Sequence, residues 1–581
     1  MKPAARVVRI VVLLGAVAGP SALAEDRPSF EGPFDVVIAG GTTAAFASAV
    51  AAAESGARVA LLEPTDWVGG QLTASAVPAV DEAWHKVTDP ATGAIFDVSA
   101  VARKRENMTP NFRAMLDATG NPGGGWVSRY CFQPGDFLDQ HLHPLEARLK
   151  GRLVVYRETV VVQASVDAVG GRITSVSAIR RSPKAGIPWR GYDRPLSADL
   201  PDWYDARPSD RFDKQSLRFG ADAGTGRGPV FLDATEWGEL LVLADLPYLQ
   251  GVEDVDGGRE GDDRCGQAIV VDIVERIVAE PVDEPPGPPG VGHLGFGLYA
   301  KFPDAWERIW TYRRLKGRGP RAAVGDISLQ NWGYSGPDGD GGNDYPFGYL
   351  LRSRADASAE RARWRGGIDL GVLAEAEKRA LAWHDWFKAH APKPLVPGQV
   401  VLDRGVLGTG TGLAKQPYIR DTRRSIGLDG FILKVADLGG RPSSKTGKRF
   451  RDRVALGAYG ADVHPVTTRA FPAYVSAGHE TLPFLIPFRA LTNEKCPNLL
   501  VAGKTMAQSF LANSATRLHP IEWSTGTASG VIAAAMARDG WTSREALDHI
   551  ADLQPLIRQK TPIEWTIDGE TYPKPGEETP L

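Results

Sequence analysis

The chain is short of cysteine, with three in 581 residues: Cys131, Cys265 and Cys496. Three thiols allow one disulfide and one leftover at most, so no disulfide framework holds this fold, and sequence alone does not pair them. A surplus of one charge is also missing. Lys and Arg number 67 against 70 Asp and Glu, a formal net charge of −3, so there is no electrostatic case for nucleic acid or an anionic membrane as partner. Beyond residue 24 no apolar run is long enough to cross a bilayer, so no stable membrane insertion is expected. Sequence repeats are lacking too.

The N-terminus carries a different signal. Lys2, Arg6 and Arg9 precede an apolar run from Ile10 to Ala18, and Ala22-Leu23-Ala24 has the A-x-A form of a cleavage site. This pattern predicts a cleaved secretory signal peptide, an exported protein and a mature chain starting near Glu25. No twin-arginine pair and no cysteine near the cleavage site support Tat export or a lipid anchor.

Past that segment the chain reads as α/β. FDVVIA, a Gly-Gly break, a helix over Ala44 to Glu54 and RVALL give strand, turn, helix, strand. Residues 152–181 alternate apolar and polar, predicting a β-meander turned at Gly170-Gly171. PVFLDATE (229–236) and NLLVAG (498–503) read as buried strands. GVLAEAEKRALAWHDWFKAHA is a helix from Gly371, and STGTASGVIAAAMARDG (524–540) a helix opened by Ser and Thr. EPPGPPG (284–290) and GPDGDGGND (336–344) read as loops, and ETYPKPGEETPL as a loose tail.

The first turn has the layout of a dinucleotide site with two of its three glycines replaced. Gly40, Thr42 and Ala45 stand where G-x-G-x-x-G would place glycine. Ala45 is a mild change. Thr42, being β-branched, must keep an ordinary φ, and its hydroxyl is expected to donate to a phosphate. Glu63, at the end of the second strand, is placed to accept from ribose hydroxyls. The glycine clusters GTGTG (408–412) and GADAGTGRG (220–228) lack the strand-then-helix context of a second nucleotide turn and read as loops.

WVGGQLT directly after Glu63, then PVFLDATEWGELL, then NLLVAGKTMA with RLHP and TGTASG, together resemble the FAD-dependent oxidoreductases of the glutathione-reductase-like superfamily. The match is best to the bacterial group that opens with GGTPAG-type turns, some of whose members carry a xanthan-lyase label. WVSRYCFQP, QNWGYSGPDGDGGNDY, QPYIRDTRRSIG and IPFRAL look like further landmarks, so the resemblance runs over most of residues 33–540. It implies FAD as the cofactor, held by Gly40, Gly41, Thr42, Thr43, Ala44, Ala45, Glu63, Gly69, Gly70, Gln71, Thr235 and Gly503, and by Thr525, Gly526 and Thr527 at the start of the last helix. Where many relatives read ATG after the supporting strand, this chain has Glu236.

Removing a hydride needs a base for the hydroxyl or amine proton, and often a cation to hold the substrate. His519 (in Arg517-Leu518-His519-Pro520), His464 (in Asp462-Val463-His464-Pro465) and Arg420 (in YIRDTRR) are the candidates. Cys131 reads as a buried inert thiol, His384 as a structural residue on its helix, and Asp338, Asp340 and Asp344 lack the acids of a calcium loop, so no metal is expected.

The resulting expectation is an α/β protein: a Rossmann-like, glutathione-reductase-type FAD-binding domain with an inserted α+β substrate or cap domain. The boundaries are 1–24 for the signal peptide, 30–181, 217–250 and 395–545 for the FAD-binding domain, 182–216 and 251–394 for the cap, and 546–581 for a C-terminal extension and tail. The expected activity is oxidation of a small organic or sugar-like substrate, with electrons passing to oxygen or to an electron-carrier protein or quinone of the envelope. The alternatives are a carbohydrate lyase with a structural flavin and a binding module on the same fold without cofactor.

Overall fold

The structure, a computed structural model, describes residues 28–579 apart from 81–86, 89–94, 97–104, 222–227, 254, 257–262, 264–265, 334–340, 440–443, 465, 467–480 and 575. The signal-peptide segment, Cys265, Asp338 and Asp340 lie outside the described residues.

Five parallel strands form the central sheet. Across it they run Leu499–Val501, Val230–Asp233, Val36–Ala39, Val59–Leu62 and Leu153–Tyr156. Numbered along the chain this order is 5-4-1-2-3, so the topology reverses beside Val36–Ala39, where doubly wound sheets bind their ligands. The strand sequences VVIA, VALL and LLV are apolar throughout because both faces are covered. Val36 and Ile38 pack on the helix layer, whereas Val37 and Ala39 pack on the opposite side.

The helix layer is built from Thr43–Glu54 and His519–Asp539. Gly526 and Gly530 let them approach closely: a Cβ at Gly526 would lie 2.3 Å from the Ala44 carbonyl, and one at Gly530 2.2 Å from that of Ser48. Each glycine costs about 1 kcal/mol of helix propensity relative to alanine, so close backbone contact is what these positions gain.

The opposite face is covered by a four-stranded sheet in the order Ser29–Glu31, Phe212–Gly220, Ile173–Pro183, Thr159–Val166. The meander expected over 152–181 is therefore split. Leu153–Tyr156 joins the parallel sheet, and only Thr159–Val166 with Ile173–Pro183 forms the hairpin. Glu158, at φ +55°, makes the break, a conformation no continuing strand adopts.

The cap has its own antiparallel sheet, Arg314–Lys316, Ile327–Gln330, Ile273–Ile277 and Val400–Leu402. It extends past the boundary at 394, because Val400–Leu402 pairs with Glu275–Ile277. The helix expected from Gly371 spans Leu370–Ala389, with Asp369 accepting from the N–H groups of Gly371 and Val372. Its His384 is structural as expected, held between Glu275 (2.7 Å) and Glu284 (3.0 Å).

The C-terminal tail is more ordered than expected. Trp565–Ile567 and Glu570–Tyr572 pair as a hairpin. Trp565 and Ile567 are buried with the long helix's core, and the Trp565 indole donates to the Phe484 carbonyl at 2.9 Å. ETYPKPGEETPL thus begins as a strand.

Candidate cofactor and substrate site

Where Val36–Ala39 ends, the backbone passes so close to the neighbouring strand end that glycine is required. Gly40 has φ +115°, and a Cβ there would lie 2.2 Å from the Ala234 carbonyl. A Cβ on Gly41 would meet the Glu63 carboxylate at 2.4 Å. Thr42 has the ordinary φ that its branching demands, −72°, and caps the helix by accepting from the Ala45 N–H at 3.1 Å. Its one hydroxyl proton goes to the Ala234 carbonyl at 2.8 Å. The phosphate-donor role expected for Thr42 is therefore corrected: the residue shapes the turn, and anion binding falls to the N-terminus of Thr43–Glu54.

Gly69 and Gly70 lie over that turn with φ +110° and +57°. A Cβ on Gly70 would be 2.6 Å from the Thr43 nitrogen, and the Thr43 hydroxyl donates to the Gly69 carbonyl at 2.7 Å. Gln71 donates to the Arg517 carbonyl at 3.1 Å and keeps its own buried Oε1 without a hydrogen-bond partner. Ala44 and Ala45 are buried packing residues; Ala44 touches Gly503, whose added Cβ would lie 3.0 Å from the Ala44 Cβ.

Glu63 is fully buried. Its Oε1 accepts from the Thr65 N–H (2.9 Å) and hydroxyl (2.8 Å), and its Oε2 has no hydrogen-bond partner. Burial pushes its pKa up to about 8 against the lowering effect of the Thr65 hydrogen bonds. A cavity of about 340 Å³ opens at these strand ends, lined among others by Gly40, Gly41, Pro64, Val160 and Thr235. The Thr235 hydroxyl is committed internally, donating to Asp233 (2.7 Å) and accepting from the Glu239 N–H (2.8 Å). A glycine cradle at a helix N-terminus, with an unsatisfied carboxylate oxygen at the end of the second strand, has the donor and acceptor set that a dinucleotide requires.

The long helix begins at His519, with Pro520 in its first turn, and not at Ser524. Thr525 and Thr527 donate to the carbonyls of Ile521 (2.9 Å) and Trp523 (2.7 Å), one turn back, and Gly526 is the packing contact with Ala44. The expected N-terminal placement of these three is corrected. Proline suits the first helical turn because the N–H it lacks has no partner there, whereas Ser and Thr inside a helix bond back to earlier carbonyls. Pro520 was the signal that would have found this boundary.

Around that helix start a chain of charges assembles, with Arg420, Asp344 and Arg517 buried, His464 half-buried and Asp462 exposed. Arg420 donates to Asp344 (2.7 Å) and to the Ala268 carbonyl (2.7 Å); His464 lies between Asp344 and Asp462 at 3.1 Å from each; Arg517 contacts Asp462 (3.4 Å) and the Tyr418 hydroxyl (2.6 Å). Burial and Arg420 push the His464 pKa down, but the carboxylates Asp462 and Asp344 outweigh them and leave it raised. Against burial, Arg420 and His464 hold Asp344 well below the usual carboxylate range. The two carboxylates that flank His464 thus favour its protonated form, which weakens its expected candidacy as a base. His519 is buried, and its Nε2–H donates to the Val77 carbonyl at 2.8 Å, so Nδ1 is the nitrogen able to accept a proton.

Sequence reasoning gave no role to Arg517, Asp462, Asp344 or Lys504. The Lys504 ammonium is buried between Glu236 (2.9 Å) and Glu522 (3.1 Å), which accounts for the glutamate standing where relatives have glycine. Arg517 and Asp462 stood within the two histidine motifs, and only their spatial convergence marks them.

The family model described as FAD dependent oxidoreductase matches residues 35–188 and 215–557. Among solved structures, p-nitrophenol 4-monooxygenase PnpA from Pseudomonas putida DLL-E4 shares 11% identity over 92% of this chain and 88% of that one, with a TM-score of 0.31. A variant of E. coli quinol fumarate reductase FrdA shares 13% over 91% and 74%, with a TM-score of 0.27. Aquifex aeolicus GidA shares 19%, and the chain spans about a quarter of it: 26% of this chain and 23% of that one are covered, with a TM-score of 0.19. The search of curated proteins gives no match. Matched along most of its length, and with a glycine-lined crevice at the topological reversal of its sheet, the chain belongs to the FAD-dependent oxidoreductase family and takes FAD as its cofactor.

Proposed function

We propose that this oxidoreductase is exported and removes a hydride from a hydroxyl or amine carbon of a small organic or sugar-like substrate, its electrons passing to oxygen or to an envelope carrier, a protein or a quinone. The observation that carries the reading is the charge chain Arg420–Asp344–His464–Asp462–Arg517, which runs from buried Arg420 past exposed Asp462 and ends two residues before His519. When bound, the flavin supplies the two-electron acceptor. Glu63, with its unsatisfied Oε2, would hold the adenosine ribose, and Gly40 to Ala45 with Gly69-Gly70 would hold the pyrophosphate. Gly503, Thr235 and the Thr525–Thr527 segment support this site through packing. The N-terminus of the long helix favours negative charge in front of it. His519 Nδ1 takes the substrate proton, while Arg420 and His464, whose protonated form the neighbouring carboxylates favour, suit an electron-rich or anionic substrate group.

The test is anaerobic. The purified protein is mixed with a panel of alcohols, amines and sugar acids, and flavin absorbance is followed. Bleaching by one of them supports the reading; an oxidised flavin while an unsaturated sugar product accumulates overturns it in favour of a lyase. Export is tested by sequencing the mature N-terminus from the envelope fraction, where Glu25 is expected; a cytoplasmic protein retaining Met1 would refute it.

A further inference from the structure

A second cleft adjoins the cofactor cavity and shares Tyr204 with it. It has a volume of about 610 Å³ and lies between the strand Thr159–Val166 with Tyr204–Arg207 on one side and the turn Arg361–Arg365 on the other. Four guanidinium groups line it, those of Arg207, Arg361, Arg363 and Arg365. This concentration of positive charge stands in a chain whose net charge is −3.

The arginine turn is rigidly built. Trp364 is buried at its centre, and Gly366 and Gly367 reverse the chain at φ +89° and +63°. The nearest acid, Glu360, is spent on the turn itself: Oε1 accepts from the N–H groups of Arg365 (2.7 Å) and Gly367 (3.1 Å), and Oε2 from Arg352 (2.9 Å). Arg207 pairs with Asp205 at 2.7 Å and Arg361 with Asp245. Arg363 and Arg365 have no acidic partner among the described residues. Four cations against two carboxylates leave a local excess of two positive charges. The wall from Tyr204 to Arg207 belongs to residues 189–214, which the family model does not match, whereas Arg361, Arg363 and Arg365 lie within the matched region.

We infer that the Arg207/Arg361/Arg363/Arg365 cleft binds a small polyanion carrying two or more carboxylate or phosphate groups. Guanidinium forks pair with either group bidentately, and the volume suits a small molecule. Convergence matters because single exposed charges are screened over about 8 Å at physiological salt.

The test titrates the FAD-loaded protein with citrate and, separately, with tripolyphosphate by calorimetry at physiological salt. Saturable binding of either supports the site, and the preferred anion assigns the class. The double variant R363A/R365A should weaken it at least tenfold with FAD content unchanged, and R207A, from the facing wall, should weaken it as well. No saturable binding of either anion overturns the inference, as does an affinity that survives the double variant or R207A.

Discussion

FAD affinity should rise with pH, and Glu63 sets the direction. In the cofactor-free protein its buried carboxyl titrates near 8, well above the ordinary 4.5, and Arg157 and Asp66 are the charged groups that also act on it. A ribose hydroxyl donates best to the ionised carboxylate, so binding must displace the proton. One pH unit below the pKa costs about 1.4 kcal/mol, or tenfold in affinity. Between pH 8 and pH 6 the Kd for FAD should therefore weaken by roughly 50-fold, since the carboxyl is half ionised at pH 8, and above about pH 9 it should level off. The assay is quenching of FAD fluorescence by apoprotein across pH 6 to 9, with Glu63→Gln as control. A flat profile, or the same slope in the variant, would refute the reasoning. Folding carries the complementary sign. A raised pKa contributes stability that is complete below pH 4.5 and lost as pH rises through 8, so apoprotein should lose on the order of 4 kcal/mol over that window. Glu63→Gln should flatten its melting profile.

Three further outcomes follow from the same geometry. Gly526→Ala should cost about 1–3 kcal/mol by overpacking against Ala44, read as a lower urea midpoint together with reduced FAD retention. Lys504→Met strands two buried carboxylates, Glu236 and Glu522, and should destabilise by about 3–5 kcal/mol; an unchanged midpoint would mean the cluster is hydrated. Cys496 is a buried free thiol, and burial pushes it up to about 11. A thiol reagent should accordingly leave Cys496 unlabelled in the native state at pH 8 and label it after denaturation.

Much of the cofactor half was legible because its constraints are local. An apolar tetrapeptide followed by Gly40-Gly41, an alanine-dense helix and an acid at the end of the next strand can fold as little other than a βαβ turn. Glu63 accordingly stands just past the end of the second strand, and Gly69-Gly70 lie over the first turn. The misreadings came where a residue's partner is distant. Thr42 looked available to a phosphate until its hydroxyl proved committed to Ala234, 192 positions away. Thr525 and Thr527 resembled a helix cap, but Pro520 had already opened the helix. His464 resembled a base, but Asp344, 120 positions earlier, favours its protonated form together with Asp462.

The sequence by itself determined the strands of the first βαβ unit and the nucleotide turn, since backbone conformation, periodicity and the need for glycine at close approach act over a few residues; the class of cofactor came from the resemblance of its motifs to a flavoprotein family. The tertiary structure decided which hydroxyls are already spent, which carboxylate oxygen is left for a ribose, and which ionisable groups share one low-dielectric environment. Those are properties of pairs far apart in the chain. Hydrogen-bond capacity and protonation are settled only when the partners meet, so the substrate side of this enzyme took shape only at that level.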